Sequence, residues 1–105
     1  MSLATITPQR LHEIVAAGNA IELIDVRTPA EFQEVHIALA CNLPLDQLDP
    51  AQLAARRRGC DTPLYVVCRS GSRAQQACEK LIRAGHVNVV SVAGGTAAWD
   101  EAGLP

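Results

Sequence analysis

Residues 64–67, Leu-Tyr-Val-Val, form a short, wholly apolar run between Asp61-Thr62-Pro63 and a polar, glycine-bearing loop. A run of that length with no polar face is the pattern of a strand buried on both sides, at the centre of a parallel sheet. Parallel neighbours need crossover connections, so one such strand commits the rest of the chain to alternating strands and helices. Thr7-Pro8 supplies an N-cap and a proline at the first helical position, Leu11, Ile14 and Val15 follow at helical spacing, and Gly18 closes the helix. Residues 21–26 read as a mostly buried strand. Thr28 and Glu31 have the spacing of a capping box at a second helix start, which gives Glu31 a structural role by default. Residues 40–43 read as a short strand, 45–48 as a tight or 3₁₀ turn, and Asp49-Pro50 as the cap of a helix ending at Gly59. Further on, Ala74, Ala77, Cys78, Leu81 and Ile82 recur at helical spacing up to Gly85, with Cys78 on the core face. Residues 87–92 form a last strand, and Gly94-Gly95 opens a final helix carrying Trp99. The expectation is an α/β fold, a parallel sheet with helices on both faces joined by right-handed crossovers.

At 105 residues the chain is one domain, large enough for a single core without staples. Hydrophobic residues make up 49% but aromatics only 3%, so the core is built from aliphatics and alanines, which suits helices packed closely on a sheet. A net charge of −2 and a single Trp, Tyr and Phe offer neither a basic face nor a stacking platform, which argues against nucleic acid as a partner. The basic run Arg56-Arg57-Arg58 reads as the solvated cationic end of a helix, favourable to its dipole, with partner docking as the lesser alternative. Cysteines 41, 60, 68 and 78 form no C-x-x-C pair and histidines 12, 36 and 86 are scattered, so neither a metal nor another cofactor is expected. No run approaches the roughly 18 apolar residues of a membrane span, and no leader is visible, so the expected location is cytoplasmic and the cysteines are expected as thiols.

The loop after the central run carries the chemistry. Cys68-Arg69-Ser70-Gly71-Ser72-Arg73 puts a thiol at the carboxyl end of a buried strand with a helix starting just beyond. Open α/β sheets place their active sites there, and a helix N-terminus offers unsatisfied N–H groups to an anion. Gly71 allows a left-handed turn, so that the amides after Cys68 line a concave nest. An ordinary cysteine is only roughly 3% thiolate at neutral pH. A helix dipole contributes typically ~0.3–1 kcal/mol, too little by itself to change that greatly, so Arg69 and Arg73 are expected to contribute. The bland alternative is a structural cysteine before an ordinary helix capped by Ser72. Two arginines and a glycine within this stretch favour the functional reading. Asp25 and Arg27, at another strand's carboxyl end, either support this loop or substrate or form an ion pair that only fixes their own turn.

Four stretches occur in a telling order: Ile24-Asp25-Val26-Arg27 with Glu31-Phe32; His36-Ile37-Ala38-Leu39-Ala40-Cys41-Asn42-Leu43-Pro44; Cys68 through Arg73; and Gly94-Gly95 with Trp99 and Gly103-Leu104-Pro105. Together they resemble the rhodanese-like sulfurtransferase family in its single-domain form, nearly end to end over residues 1–105. The resemblance implies a five-stranded parallel sheet flanked by helices, Cys68 as the sulfur-accepting nucleophile, and Arg69, Ser70, Gly71, Ser72 and Arg73 as the cradle around its persulfide. The chain departs from the family's usual glycine before the histidine and Pro-Gly after the isoleucine, having Val35 and Ala38-Leu39 instead. His36 is read as a hydrogen-bonded structural residue.

The expected function is therefore a thiosulfate sulfurtransferase, taking sulfane sulfur from a small anionic donor and passing it to a thiol or protein acceptor, or to cyanide in vitro. Two alternatives stand beside it: a cysteine phosphatase or arsenate reductase, and a docking module with no chemistry. Tyrosine-type phosphatases place one more residue between nucleophile and arginine than this loop has and commonly have histidine where Val67 stands, which disfavours the first. A docking module has no need of an activated thiol, which disfavours the second. Pro105 falls where the resemblance ends, so the chain is also readable as part of a longer one.

Overall fold

A computed structural model describes residues 4–19, 21–56, 62–69 and 72–104. The strand β4 (Leu64–Val67) is buried at all four positions and lies at the middle of a five-stranded sheet. Its neighbours are β2 (Glu22–Asp25) and β5 (Val89–Val92), both parallel to it. The edges are β1 (Ala4–Ile6) beside β5 and β3 (Cys41–Asn42) beside β2, giving the order β1-β5-β4-β2-β3 with every pairing parallel. Reading of the residues alone finds four strands; β1 is missed because three exposed or half-buried residues carry no periodicity. Its strand character comes from pairing, Ala4 with Val90 and Ile6 with Val92.

The pleat of β4 divides the core. Leu64 and Val66 point into one cluster with Ile24, Leu53, Ala74, Ala77, Cys78 and Leu81, while Tyr65 and Val67 point into the other with Leu11, Leu23, Ile37 and Trp99. The first face is covered by α3 (Pro50–Arg56) and α4 (Ser72–Arg83), and the second by α1 (Pro8–Ala16) and α5 (Gly95–Glu101). Leu11, Leu64 and Leu81 are fully buried, and truncating any one to alanine costs about 2–5 kcal/mol by the usual behaviour of close-packed cores.

Helix starts follow the local signals. Thr7 Oγ1 accepts the Arg10 N–H at 3.1 Å, and Asp49 Oδ1 accepts that of Ala51 at 3.0 Å. In α2 (Pro29–Glu34) the capping box is complete: Thr28 accepts from the Glu31 N–H, and the Glu31 carboxylate accepts from the Thr28 N–H. A 3₁₀ turn occupies Leu45–Gln47. α4 begins at Ser72 itself, which is thus its first residue and not its cap. The expected end of α3 at Gly59, and with it Arg57, Arg58 and Cys60, lies outside the described residues. No described helix is long and apolar enough to cross a membrane.

The order of strands locates a crevice. From β2 the chain moves outward to β3, and from β4 it moves the other way to β5, so the loops leaving β2 and β4 diverge at their carboxyl ends. In open α/β sheets such a switch point is where ligands bind. Asp25 and Val67 are register partners there, which puts Val26-Arg27 and Cys68-Arg69 side by side at the crevice.

Candidate active site

Cys68 follows β4 directly and is 1% exposed. Cys41, Cys68 and Cys78 all carry thiols, with no disulfide among them. The loop is held from the side of α5. The Cys68 carbonyl accepts hydrogen bonds from the Thr96 N–H at 2.7 Å and from Thr96 Oγ1 at 3.1 Å, and the Arg69 carbonyl accepts one from the Ala97 N–H at 3.0 Å. This close approach depends on Gly95, where a Cβ would run into the Cys68 and Arg69 carbonyls; Gly94 and Gly95 are both in the left-handed region, with φ of 72° and 62°. Sequence reading takes the two glycines as a turn and overlooks Thr96 altogether. The double glycine is nonetheless the usable signal, because glycine marks positions where one backbone must come close to another.

Arg69 is exposed beside Cys68, and Arg73 lies in the first turn of α4. Ser70 and Gly71 lie outside the described residues. Arg73 meets an internal carboxylate: its NH1 and NH2 donate to Glu31 Oε1 and Oε2 at 2.7 and 2.9 Å, a bidentate pair. The two hydrogen bonds that a substrate oxyanion would accept from those nitrogens go to Glu31 in this structure. The pair holds Arg73 more firmly protonated than an ordinary arginine, first through the Glu31 hydrogen bonds, against burial, with the charges of Cys68 and Asp25 adding to the effect. The hydrogen bonds from Arg73 hold the Glu31 carboxyl well below its usual range, at about 2. Glu31 is therefore more than a capping residue, and the capping-box spacing gave no sign of a partner so distant in the chain.

Asp25 and Arg27 form the ion pair that was one of the two expectations. Both are buried; Arg27 NH2 donates to Asp25 Oδ2 at 2.7 Å, Nε donates to both oxygens, and the Arg27 backbone N–H donates to Oδ1 at 3.0 Å. Arg27 NH2 also donates to the Val35 carbonyl at 2.6 Å, tying the end of β2 to the end of α2. Asn42 Nδ2 completes the clamp by donating to the carbonyls of Asp25 and Arg27, each at 3.0 Å. His36 makes the hydrogen bond expected of it, with Nδ1 2.7 Å from the Phe32 carbonyl, and its ring is stacked on Phe32 at 3.8 Å between centroids. Cys78 is buried in the same cluster as Cys68; burial first, and then the Cys68 and Glu79 charges, push its thiol up to about 12, which keeps it protonated and inert.

Arg27, Glu31, Glu34, Val35, Arg69 and Thr96 line an open depression of about 520 Å³ beside the loop, together with Ala97, Asp100 and Glu101 of α5. No group of three potential metal ligands occurs among the described residues. The family model of the rhodanese-like domain matches residues 7–102, spanning every element from α1 to α5. This chain belongs to the rhodanese-like domain family.

The relatives match over different shares of their own length. The chain is 36% identical to a sulfurtransferase of Allochromatium vinosum, across 95% of this chain and 91% of that one. It is 32% identical to thiosulfate sulfurtransferase 16 of Arabidopsis thaliana across 90% of this chain and 84% of that one. A relative of Synechocystis, 41% identical, is longer, and the chain spans 54% of it. Among solved structures, a rhodanese-related protein of Thermoplasma volcanium superposes with a TM-score of 0.79 at 31% identity, covering 97% of this chain and 95% of that one.

Proposed function

We propose that this rhodanese-like domain is a sulfurtransferase that works through a Cys68 persulfide. The observation that carries the reading is Cys68 itself, a thiol at the carboxyl end of the central strand and at the switch point, with its carbonyl anchored on α5. The sulfurtransferase names of the two relatives matched over most of their length support the reaction class. With thiosulfate as donor, the Cys68 thiolate attacks the outer sulfur; a new S–S bond forms, the donor's S–S bond breaks, and sulfite leaves with the electron pair. A thiolate acceptor, or cyanide in vitro, then attacks the terminal sulfur and releases the Cys68 thiolate. The cycle is a double displacement and obeys ping-pong kinetics. The open depression beside the loop gives a small anionic donor and a thiol or protein acceptor a route to Cys68.

The test is intact mass after thiosulfate treatment, with and without cyanide. Wild type is expected to gain one sulfur atom and lose it to cyanide, and Cys68→Ser to gain none. An adduct carried by Cys41, Cys60 or Cys78 would overturn the assignment. So would Cys68-dependent release of p-nitrophenol from its phosphate ester in a protein that takes up no sulfur.

A further inference from the structure

We infer that Thr96 is a positioning residue for Cys68, fixing the orientation of the first peptide of the nucleophile loop; its role in turnover rests on the sulfur-transfer reading. Thr96 donates twice to one oxygen, its N–H at 2.7 Å and its Oγ1 at 3.1 Å from the Cys68 carbonyl. A carbonyl has two lone pairs, so it can accept both bonds from a single residue. Thr96 is 4% exposed, so these bonds are shielded from exchange with water. Because the peptide is planar and trans, a Cys68 carbonyl aimed at α5 turns the Arg69 N–H to the opposite side. The Arg69 carbonyl is drawn to α5 in the same way by Ala97. An Arg69 N–H turned away from α5 is free of that helix to face an anionic sulfur on Cys68.

The fold does not need the hydroxyl. A valine at position 96 would have the same shape, and its N–H alone would still satisfy the Cys68 carbonyl. The second bond adds restraint at the residue that reacts. Gly95 makes the contact sterically possible: a Cβ there would lie 2.6 Å from the Arg69 carbonyl oxygen and closer still to that of Cys68. Thr96 thus acts through the Cys68 carbonyl.

The test uses Thr96→Val and Thr96→Ser, with Gly95→Ala as a harsher displacement of the same contact. Single-turnover loading with thiosulfate is followed by mass spectrometry, and iodoacetamide alkylation of Cys68 is measured in parallel. Loss of one buried hydrogen bond predicts that the limiting loading rate of Thr96→Val falls about five- to tenfold. The thiosulfate concentration giving half that rate should move less than twofold, and Thr96→Ser should load as wild type does. The alkylation rate of Thr96→Val should depart at least threefold from wild type, with Thr96→Ser again restored. A Thr96→Val protein that loads and alkylates at the wild-type rates, or a Thr96→Ser protein as impaired as the valine variant, would overturn the inference. If wild type takes up no sulfur, the sulfur-transfer reading fails, and the alkylation rates alone decide the positioning role.

Discussion

Glu31 serves two elements with one carboxylate. Its Oε1 accepts from the Thr28 N–H at 3.2 Å, within the capping box of α2, and from Arg73 NH1 at 2.7 Å, at the start of α4. Its carboxyl sits at about 2, below the ordinary 4.5, chiefly because Arg73 hydrogen-bonds the charged form. A value depressed by folding means stabilisation that is complete above about pH 4.5 and lost as pH falls toward 2. Glu31→Gln keeps the capping box, since glutamine also serves at that position, and removes the charge together with one of the two oxygens that accept from Arg73. With the two side chains 34% and 29% exposed, solvent screening limits the loss to about 1 kcal/mol at pH 7. Urea denaturation of both proteins between pH 7 and pH 2 should show that difference shrinking to nothing at the acid end. A constant difference would mean that the pair contributes through packing and not charge.

At the scale of elements, Arg27 clamps three pieces of chain together. It binds Asp25 at the end of β2 and the Val35 carbonyl at the end of α2, while Asn42 from β3 holds the backbone of Asp25 and Arg27. Replacing the arginine leaves a fully buried carboxylate without its cation, a loss of about 3–5 kcal/mol in comparable buried pairs. Arg27→Ala should therefore unfold at markedly lower urea, and sulfur uptake at Cys68 should fall further than for a variant of equal stability altered at Leu81, because the clamp borders the crevice. Equal uptake in the two variants would limit Arg27 to stability. The start of α5 plays a corresponding part for the Cys68 loop, so each wall of the crevice is pinned by a different element.

The molecule as a whole carries a net charge of −2, and the depression beside Cys68 does not escape it. Its walls hold Glu31, Glu34, Asp100 and Glu101 against Arg27 and Arg69. Since Arg27 is paired with Asp25, the field met by an approaching dianion is less cationic than the loop sequence suggests. Neutralising part of it, with Asp100→Asn and Glu101→Gln together, should raise kcat/KM for thiosulfate by about threefold at low ionic strength and little at high salt, where screening shortens the reach of surface charge to within ~10 Å. Steady-state kinetics at two salt concentrations check this. A salt-independent effect, or none, would show that entry is controlled by shape.

Local signals determined a good deal of this protein. The apolar run of β4, the caps at Thr7, Thr28 and Asp49, and the helical spacing of α4 act between residues a few positions apart, so the residues alone reveal them. The same locality placed Cys68 at a strand end before a helix. Tertiary structure decided which distant groups meet. β1 becomes a strand only by pairing with β5, Arg73 is answered by Glu31, and the Cys68 carbonyl is held by Thr96. None of these has a periodicity or a fixed spacing, because each depends on strand order and on helices brought to opposite faces of one sheet. A capping box reads the same whether or not an arginine waits across the crevice, and two glycines read as a turn until the backbone they admit is seen.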